Sequence, residues 1–443
     1  MITTGREGQM RNFSLFAFVW LLLGSTGYSA DFFCAVGNVG CLVSAIEVSN
    51  ANGEDNSIFL EIGEYTLRSA NGANPENGLP VITGRIRITG PEGIGSTIER
   101  DPTAPGFRIF EIAAGGNVEL DWLGIRNGIG RSGGAILNAG FLTINRTAIY
   151  QNRVNLGGGG AIYSTGKLSI SNSEITRNLG SDSAGAIFSS GSLRIEDSRV
   201  STNNFDAAGA VLAQGTGFIL RTTLSGNSVD GAISTNGTFW IEDSSITHNT
   251  GIAISNTGTL TVVNTTIFQN KVGFFSGTGG GIRNSGNMSL RNASVIGNPS
   301  GIRNSGTIRL QNSILALNLQ GTSPADCNSI ISLGNNIIGS LNGCSVVLRA
   351  TDIVGDPGVG PFIEDELVYG SGHVPLMPGS PAIGHGNDGA CTPRDQLGER
   401  RRGLCDIGAV EFQEKRYDKD NDNKQRISQD DRHDGNQHAS KGN

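Results

Sequence analysis

Residues 133–152 read GGAILNAGFLTINRTAIYQN, and residues 159–178 read GGAIYSTGKLSISNSEITRN. The two stretches share one frame: a Gly-Gly-Ala-Ile start, a glycine four residues after the Ile, apolar residues at fixed offsets and a closing Asn. A chain that repeats so short a frame is restricted to folds in which one unit stacks on the next. With the Ile or Val at the head of each frame as offset zero, nine heads follow one another: Ile112, Ile136, Ile162, Ile187, Val211, Ile233, Ile254, Ile282 and Ile302. Offset four is always glycine. Offset eight runs from Leu120 to Leu310 and offset thirteen from Ile125 to Leu315, aliphatic throughout. Offset sixteen is Asn in the last eight frames, from Asn152 to Asn318, and Gly128 in the first. Heads lie between 20 and 28 residues apart, so the frame is rigid and its joints absorb the insertions.

Within a frame, offsets six and eight alternate with polar neighbours. That is the two-residue period of a strand, whose successive side chains point to opposite faces. No window of ten or more residues between Gly106 and Leu319 has helical spacing. Three short strands per frame make one rung of a parallel β-helix. The expected fold is therefore all-β, a single right-handed parallel β-helix of about nine or more rungs. Nine rungs span on the order of 40 Å. Offsets zero, six, eight and thirteen face inward, each buried Ile or Leu contributing roughly 1.5 to 3 kcal/mol. The glycine row suits either a positive φ or a close backbone approach. Offset ten is Asn or Asp in six frames, with Trp122, Arg146 and Arg221 as exceptions. Asn and Asp tolerate tight turns and bond their own backbone, so both rows read first as architecture.

The flanks set the compartment. Arg6 and Arg11 precede FSLFAFVWLLLG (residues 13–24) and then small residues to Ala30, the pattern of a secretory signal peptide covering residues 1–30. The apolar run is too short for a comfortable membrane span, and no later segment is apolar enough for one. Six cysteines suit an oxidising compartment: Cys34, Cys41, Cys327, Cys344, Cys391 and Cys405, all outside the repeats. Proximity favours three local pairs among the fifteen possible pairings. No C-x-x-C hook argues for zinc, and no cofactor is expected. A net charge of −7 leaves no basic footprint for nucleic acid.

Both flanks resemble known segments. CLVSAIEVSNANGEDNSIFLEIGEYTL (residues 41–67) is similar to the CSLREA-type segment that opens many exported β-helix proteins, with CLVSAI in place of CSLREAI. DCNSIISLGNNIIGSLNGC (326–344), GDPGVGPF, LMPGSPAIG and CTPRDQLGERRRGLCDIGAVEF (391–412) resemble the C-terminal part of the choice-of-anchor Q family, with Gly384 where Asp is usual. The GGAI starts and the IYQN, ITRN, IFQN and ITHN ends are similar to polymorphic outer-membrane protein repeats. These resemblances imply a pectin-lyase-like β-helix on an exported surface protein and no established catalytic residue. The expected layout is an N-terminal cap with the first rungs (31–105), repeats (106–325), a disulfide-containing C-terminal cap (326–412) and a disordered polar tail (413–443). The caps would close strand edges that otherwise invite pairing. Asp418, Asp420 and Asp422 in the tail imitate the start of a calcium loop but lack its Gly and Glu, so they form a weak calcium candidate.

No column of the repeats gathers the base and cations that a polysaccharide lyase needs, or the carboxylates of a hydrolase. Arg283 and Arg303 share offset one, Arg194 and Arg309 share offset seven, and His248 reads as a surface residue. Asp395 and Asp406 could form a catalytic carboxylate pair, but with the neighbouring arginines they read first as a buried polar clasp. Aromatic pairs on consecutive rungs are more suggestive: Phe218 and Trp240 at offset seven, Tyr163 and Phe188 at offset one. Rings about 4.8 Å apart on an outer face could stack on sugars or anchor a protein. The expected function is binding of an extracellular polysaccharide or a surface protein, without catalysis. The alternative is a polysaccharide lyase or glycoside hydrolase acting on acidic polysaccharide.

The register is testable in stability. Ile195→Asp, which places a charge in the offset-eight column, should cost several kcal/mol. A polar change at Ser192, offset five, should cost under about 0.5 kcal/mol. Equal melting shifts for the two would contradict the assignment of inner and outer faces.

Overall fold

A computed structural model describes residues 29–413 except 73, 94, 182–183, 205–208, 229–230, 274–279 and 402. The expected signal peptide, apart from its last two residues, and the tail beyond Gln413 with its calcium candidate Asp418, Asp420 and Asp422 lie outside the described residues. Each frame supplies three strands to three parallel sheets. In the frame headed by Ile136 these are Ile136–Asn138, Phe141–Asn145 and Ala148–Tyr150. We call the sheets they enter the head, middle and trailing sheets; they hold 9, 13 and 13 strands. Thirteen strands correspond to about 58 Å of stacking. The count exceeds the nine frames because the flanks add strands. Asp31–Cys34, Asp55–Leu60 and Arg85–Thr89 extend the middle sheet at its start, and Ile331–Ser332 extends it at its end.

From the frame headed by Ile136 onward, paired residues are equivalents one rung apart: Ile136 with Ile162, Ile144 with Ile170, Ile149 with Ile175. The first frame departs in its head strand, where Phe110 lies opposite Ile136 and Ile112 opposite Asn138, two residues out of the expected register. The inward columns are buried as the alternation requires, Ile144, Ile170, Ile195 and Ile219 completely. One inward position is glycine, Gly217. A Cβ there would meet the Phe239 ring 2.0 Å away, so the neighbouring rung fills the space that the glycine leaves.

The glycine row answers to close approach. None of the nine offset-four glycines has a positive φ. A Cβ on Gly140, Gly166, Gly191 or Gly215 would lie within 2.3 Å of the carbonyl oxygen of the preceding glycine in the row. The left-handed corners lie elsewhere, at offsets ten and fifteen in every frame. Trp122, Arg146, Asn172, Asp197, Arg221, Asp243, Asn264, Asn292 and Asn312 all have φ between 43° and 55°. This corner explains the Asn and Asp of offset ten, since their short polar side chains tolerate that conformation best.

The offset-sixteen asparagines form a buried ladder. Both the backbone N and Nδ2 of Asn152 donate to Asn178 Oδ1, at 3.0 Å each. The pattern continues rung by rung to Asn318, whose two donors reach Asp326 Oδ1 at 3.0 and 2.9 Å. At the other end Gly128, the exception to the Asn rule, donates its N–H to Asn152 Oδ1 at 2.8 Å. One rung before it the Asp101 N–H is taken by Leu67 O at 2.8 Å.

The three local cysteine pairs form disulfides, Cys34–Cys41, Cys327–Cys344 and Cys391–Cys405, which leaves no cysteine free for a metal. Cys41 belongs to the helix Val39–Asn52, capped by the Asn38 side chain on the Cys41 N–H (3.0 Å) and ended by left-handed Gly53. The helix buries Leu42, Ala45 and Ile46 against the first strands. No helix among the described residues is long and apolar enough to cross a membrane.

Residues 326–412 are more than an end cap. Up to Ile353–Val354 they add strands to the stack. Beyond that the chain turns back and runs as a strap over the outer face of the trailing sheet. Its contacts step down the rod: Gly408 N to Asn312 O (2.8 Å), Ala409 N to Ser294 Oγ (3.0 Å), Gln396 Oε1 from Thr266 Oγ1 (2.6 Å). They continue at Gly370 N to Thr223 Oγ1 (2.8 Å) and Glu366 O from Arg199 Nη2 (2.9 Å). A second apolar core forms beneath it, in which Ile296, Ile314 and Ala316 of the sheet meet Val374, Leu376, Ala382 and Ile407 of the strap.

Gly191→Ala should lower the melting temperature sharply, by about 1 kcal/mol of stability or more, because the new methyl would lie 2.0 Å from the Gly166 carbonyl oxygen. A circular-dichroism melt indistinguishable from the parent would show that the rungs are not so closely spaced.

Candidate functional site

The trailing sheet lies under the strap over much of its length, so the middle sheet offers the long open face. Its outward side chains are those at offsets five, seven and nine. Phe218 and Trp240 pair directly across adjacent strands, Thr216–Leu220 and Thr238–Glu242, with Thr216 opposite Thr238. Both rings are half-buried and both threonines exposed. Arg194, one rung before, places its guanidinium 5.4 Å from the centre of the Phe218 ring and pairs with Glu196. Trp240 Nε1 donates to Glu242 Oε2 at 3.0 Å. The carboxylates beside the rings are thus engaged in orienting the strip.

The same face carries aromatics that reading by frame did not single out. Phe141, at offset five and 46% exposed, lies under the Lys167 ammonium, 4.9 Å from its ring centre. Phe33, 75% exposed, stacks on Phe59 with centroids 5.0 Å apart. Phe141 was within reach of the alternation rule; Phe33 and Phe59 precede the repeats, where no frame indicates which face they occupy.

The second aromatic pair differs from expectation. Tyr163 and Phe188 do stack, with centroids 4.3 Å apart and planes at 9°, but Phe188 is only 8% exposed. They continue an apolar column with Leu137 and Leu212, which makes Phe188 a packing residue. Arg283 and Arg303 face each other across adjacent strands of the head sheet, away from the Phe218–Trp240 strip. Arg303 is half-buried and donates to Ser300 Oγ at 3.3 Å. His248 is not an open surface residue: its ring edges against Phe268 and against Phe362 of the strap, 5.7 and 5.1 Å between centres.

Asp395 and Asp406 form the polar clasp. Asp395 is fully buried and accepts the N–H groups of Leu397, Glu399 and Glu411 at 3.0, 2.9 and 2.8 Å. Asp406 accepts from Gly384 and Phe412 at 2.7 and 2.6 Å. Arg401, itself buried, bonds Glu411 at 3.0 Å. Burial pushes both aspartates up, against the pull of those N–H donors. Backbone groups occupy these oxygens, which leaves them a structural task.

A feature without a sequence signal lies where the strap meets the corner between middle and trailing sheets. A cavity of about 560 Å³ has Arg221 and Asp243, both left-handed offset-ten residues, on one side and strap residues on the other. That size is typical of small-molecule sites. Asp243 Oδ1 accepts one bond, from Asn264 Nδ2 at 2.9 Å. Its carboxyl is pushed up to about 6, first by burial and then by the neighbouring Glu242, with Asn264 and Arg221 opposing. Tyr369 and His373 also line the space.

No family model matches the chain, and no curated protein does, so the resemblances of the flanks and repeats rest on the quoted motifs alone. Among solved structures, the A-module of mannuronan C-5 epimerase AlgE4 from Azotobacter vinelandii is 12% identical, covering 74% of this chain and 97% of its own, with a TM-score of 0.40. Pectate lyase Pel9A is 13% identical over 87% of this chain and 97% of its own, also at 0.40. The A-module of Azotobacter vinelandii AlgE6 is 11% identical over 72% and 91%, at 0.31. Likeness at this level transfers no activity to this chain.

Asp243 makes stability depend on pH in a defined direction. Its proton is held more tightly folded than unfolded, so the folded chain binds more protons between the ordinary value of 3.8 and about 6. Its contribution to stability therefore falls as pH rises through that window. Asp243→Asn should raise the melting temperature at pH 7.5, and the gain should shrink towards pH 4. Melts of both proteins across this range test it; a gain independent of pH would contradict the assignment.

Proposed function

We propose that this chain is an exported, non-catalytic β-helix protein that binds polysaccharide along the open outer face of its middle sheet. The observation that carries the reading is the Phe218–Trp240 pair, held in register on adjacent strands with Arg194 over Phe218. Aromatic faces stack on the C–H faces of sugar rings, and the flanking threonines and charged groups offer hydrogen bonds at the edges. Phe141 with Lys167 repeats the arrangement nearer the start of the rod. A long sugar chain suits such a face better than a small ligand, because the same face continues along the whole stack. Three disulfides accord with an oxidising, extracellular setting. The alternative, a lyase or hydrolase acting on acidic polysaccharide, needs a poised acid or base beside the rings; Glu196 and Glu242 are tied to Arg194 and Trp240 instead.

A polysaccharide array probed with the parent and with a Phe218→Ser, Trp240→Ser double variant tests the proposal. Binding should fall at least about tenfold in the variant, with melting changed by no more than a few degrees. Collapse of the melt would make the rings packing residues. Appearance of unsaturated uronate product or new reducing ends with the parent protein would favour the enzyme.

A further inference from the structure

We propose that the cavity under the strap binds a small organic cation with an apolar body, its ammonium group seated on the Asp243 carboxylate. The charges on the cavity wall point one way. Arg221 is the arginine there, and it is committed to Asp197 through two bonds of 2.6 and 2.7 Å. Glu411 is committed to Arg401 at 3.0 Å. Asp365 accepts the Leu367 N–H at 2.9 Å within its own turn. Asp243 is half-buried, accepts the single bond from Asn264, and takes part in no salt bridge among the described residues. A carboxylate held from water without a counter-charge is a standing cost that a bound cation removes.

The rest of the wall decides between kinds of cation. Ile363, Val368, Leu376, Met377, Val410 and Phe412 make it predominantly apolar. A calcium ion requires six to eight oxygen ligands, which Asp243 does not supply with Glu411 paired to Arg401 and Asp365 turned to its own backbone. No group of three or more His, Cys, Asp or Glu residues among those described is placed to hold a metal. An amine attached to a hydrocarbon body of about six carbons satisfies both halves of the site. An anion finds no uncommitted arginine there, and a neutral apolar molecule would leave Asp243 as it is.

The burial of Asp243 supports this reading. Its carboxyl is pushed up to about 6 although Arg221 and Asn264 both favour the ionised form. Two nearby carboxylates, Glu242 next to it in the chain and Asp395 on the strap, add negative charge. At neutral pH the carboxylate is ionised and under-compensated, the condition in which an ammonium group is most strongly drawn in.

Calorimetric titration of the full chain at pH 7.5 with cyclohexylmethylamine, cyclohexylmethanol and cyclohexanecarboxylate tests the proposal. The amine should bind at least tenfold more tightly than the isosteric alcohol, and the carboxylate more weakly than either. Asp243→Asn should bring the amine to the level of the alcohol and leave the alcohol unchanged. Met377→Trp, which fills the cavity, should remove binding of both while the protein still melts cooperatively. Equal affinity of amine and alcohol overturns the proposal, as does a preference for the amine that survives Asp243→Asn or amine binding that survives Met377→Trp. Tightest binding of the carboxylate assigns the site to Arg221 and overturns it too. Absence of amine binding to the parent chain has the same force. Polysaccharide binding is read separately through the Phe218 and Trp240 variant, so this site and the outer face can fail independently.

Discussion

The rungs of this protein sit one upon the next, and the glycine row is where that stacking leaves no room for a side chain. At Gly140, Gly166, Gly191 and Gly215 a side chain of even one carbon would collide with the carbonyl of the rung below. This contact brings each strand under its own equivalent, and the rest follows from it. Aliphatic residues meet aliphatic residues, the asparagines reach one another's amides, and left-handed corners superimpose at offsets ten and fifteen. The stack itself is governed by a vertical rule applied repeatedly, in which each rung meets the next.

That rule is why so much was legible from the residues alone. A frame with fixed offsets states which side chains point inward, and the outer face follows by alternation. Ile195 and Ser192 were separable without coordinates, as were Phe218 and Trp240. The glycine row was harder, because two physical reasons for glycine, positive φ and close approach, leave the same letter. The distinction appears only when the positive φ values are found at Asn172, Asp197 and their equivalents instead.

The strap was not legible for the opposite reason. Its partners lie far off in the chain and share no frame with it: Thr266 with Gln396, Thr223 with Gly370. One trace of it existed. Outward positions of the trailing sheet at offset fourteen are polar in the earlier frames, as at Thr176, Ser201 and Thr247, and become apolar in the last three, Phe268, Ile296 and Ala316. A strand apolar on both faces is a strand covered on both faces. The cavity beside Asp243 depends on the strap, so no pattern within the repeats could have announced it. Phe188 failed as an exposed residue because its column, Leu137 to Leu212, is apolar from rung to rung.

The strap also turns a repetitive rod into an object of definite length. A bare solenoid can gain or lose a frame at little cost, since each rung contacts only its neighbours. Here the segment from Glu366 to Ala409 grips Arg199, Thr223, Thr266, Ser294 and Asn312, on rungs spread along the stack. Removal of a frame between Arg199 and Asn312 would put every grip beyond the deletion out of step with its partner. The segment works as a gauge laid against the stack. The rungs before Glu174 lie outside this gauge: the earliest hydrogen bond from the strap among the described residues is that of the Tyr369 hydroxyl to Glu174 at 3.5 Å.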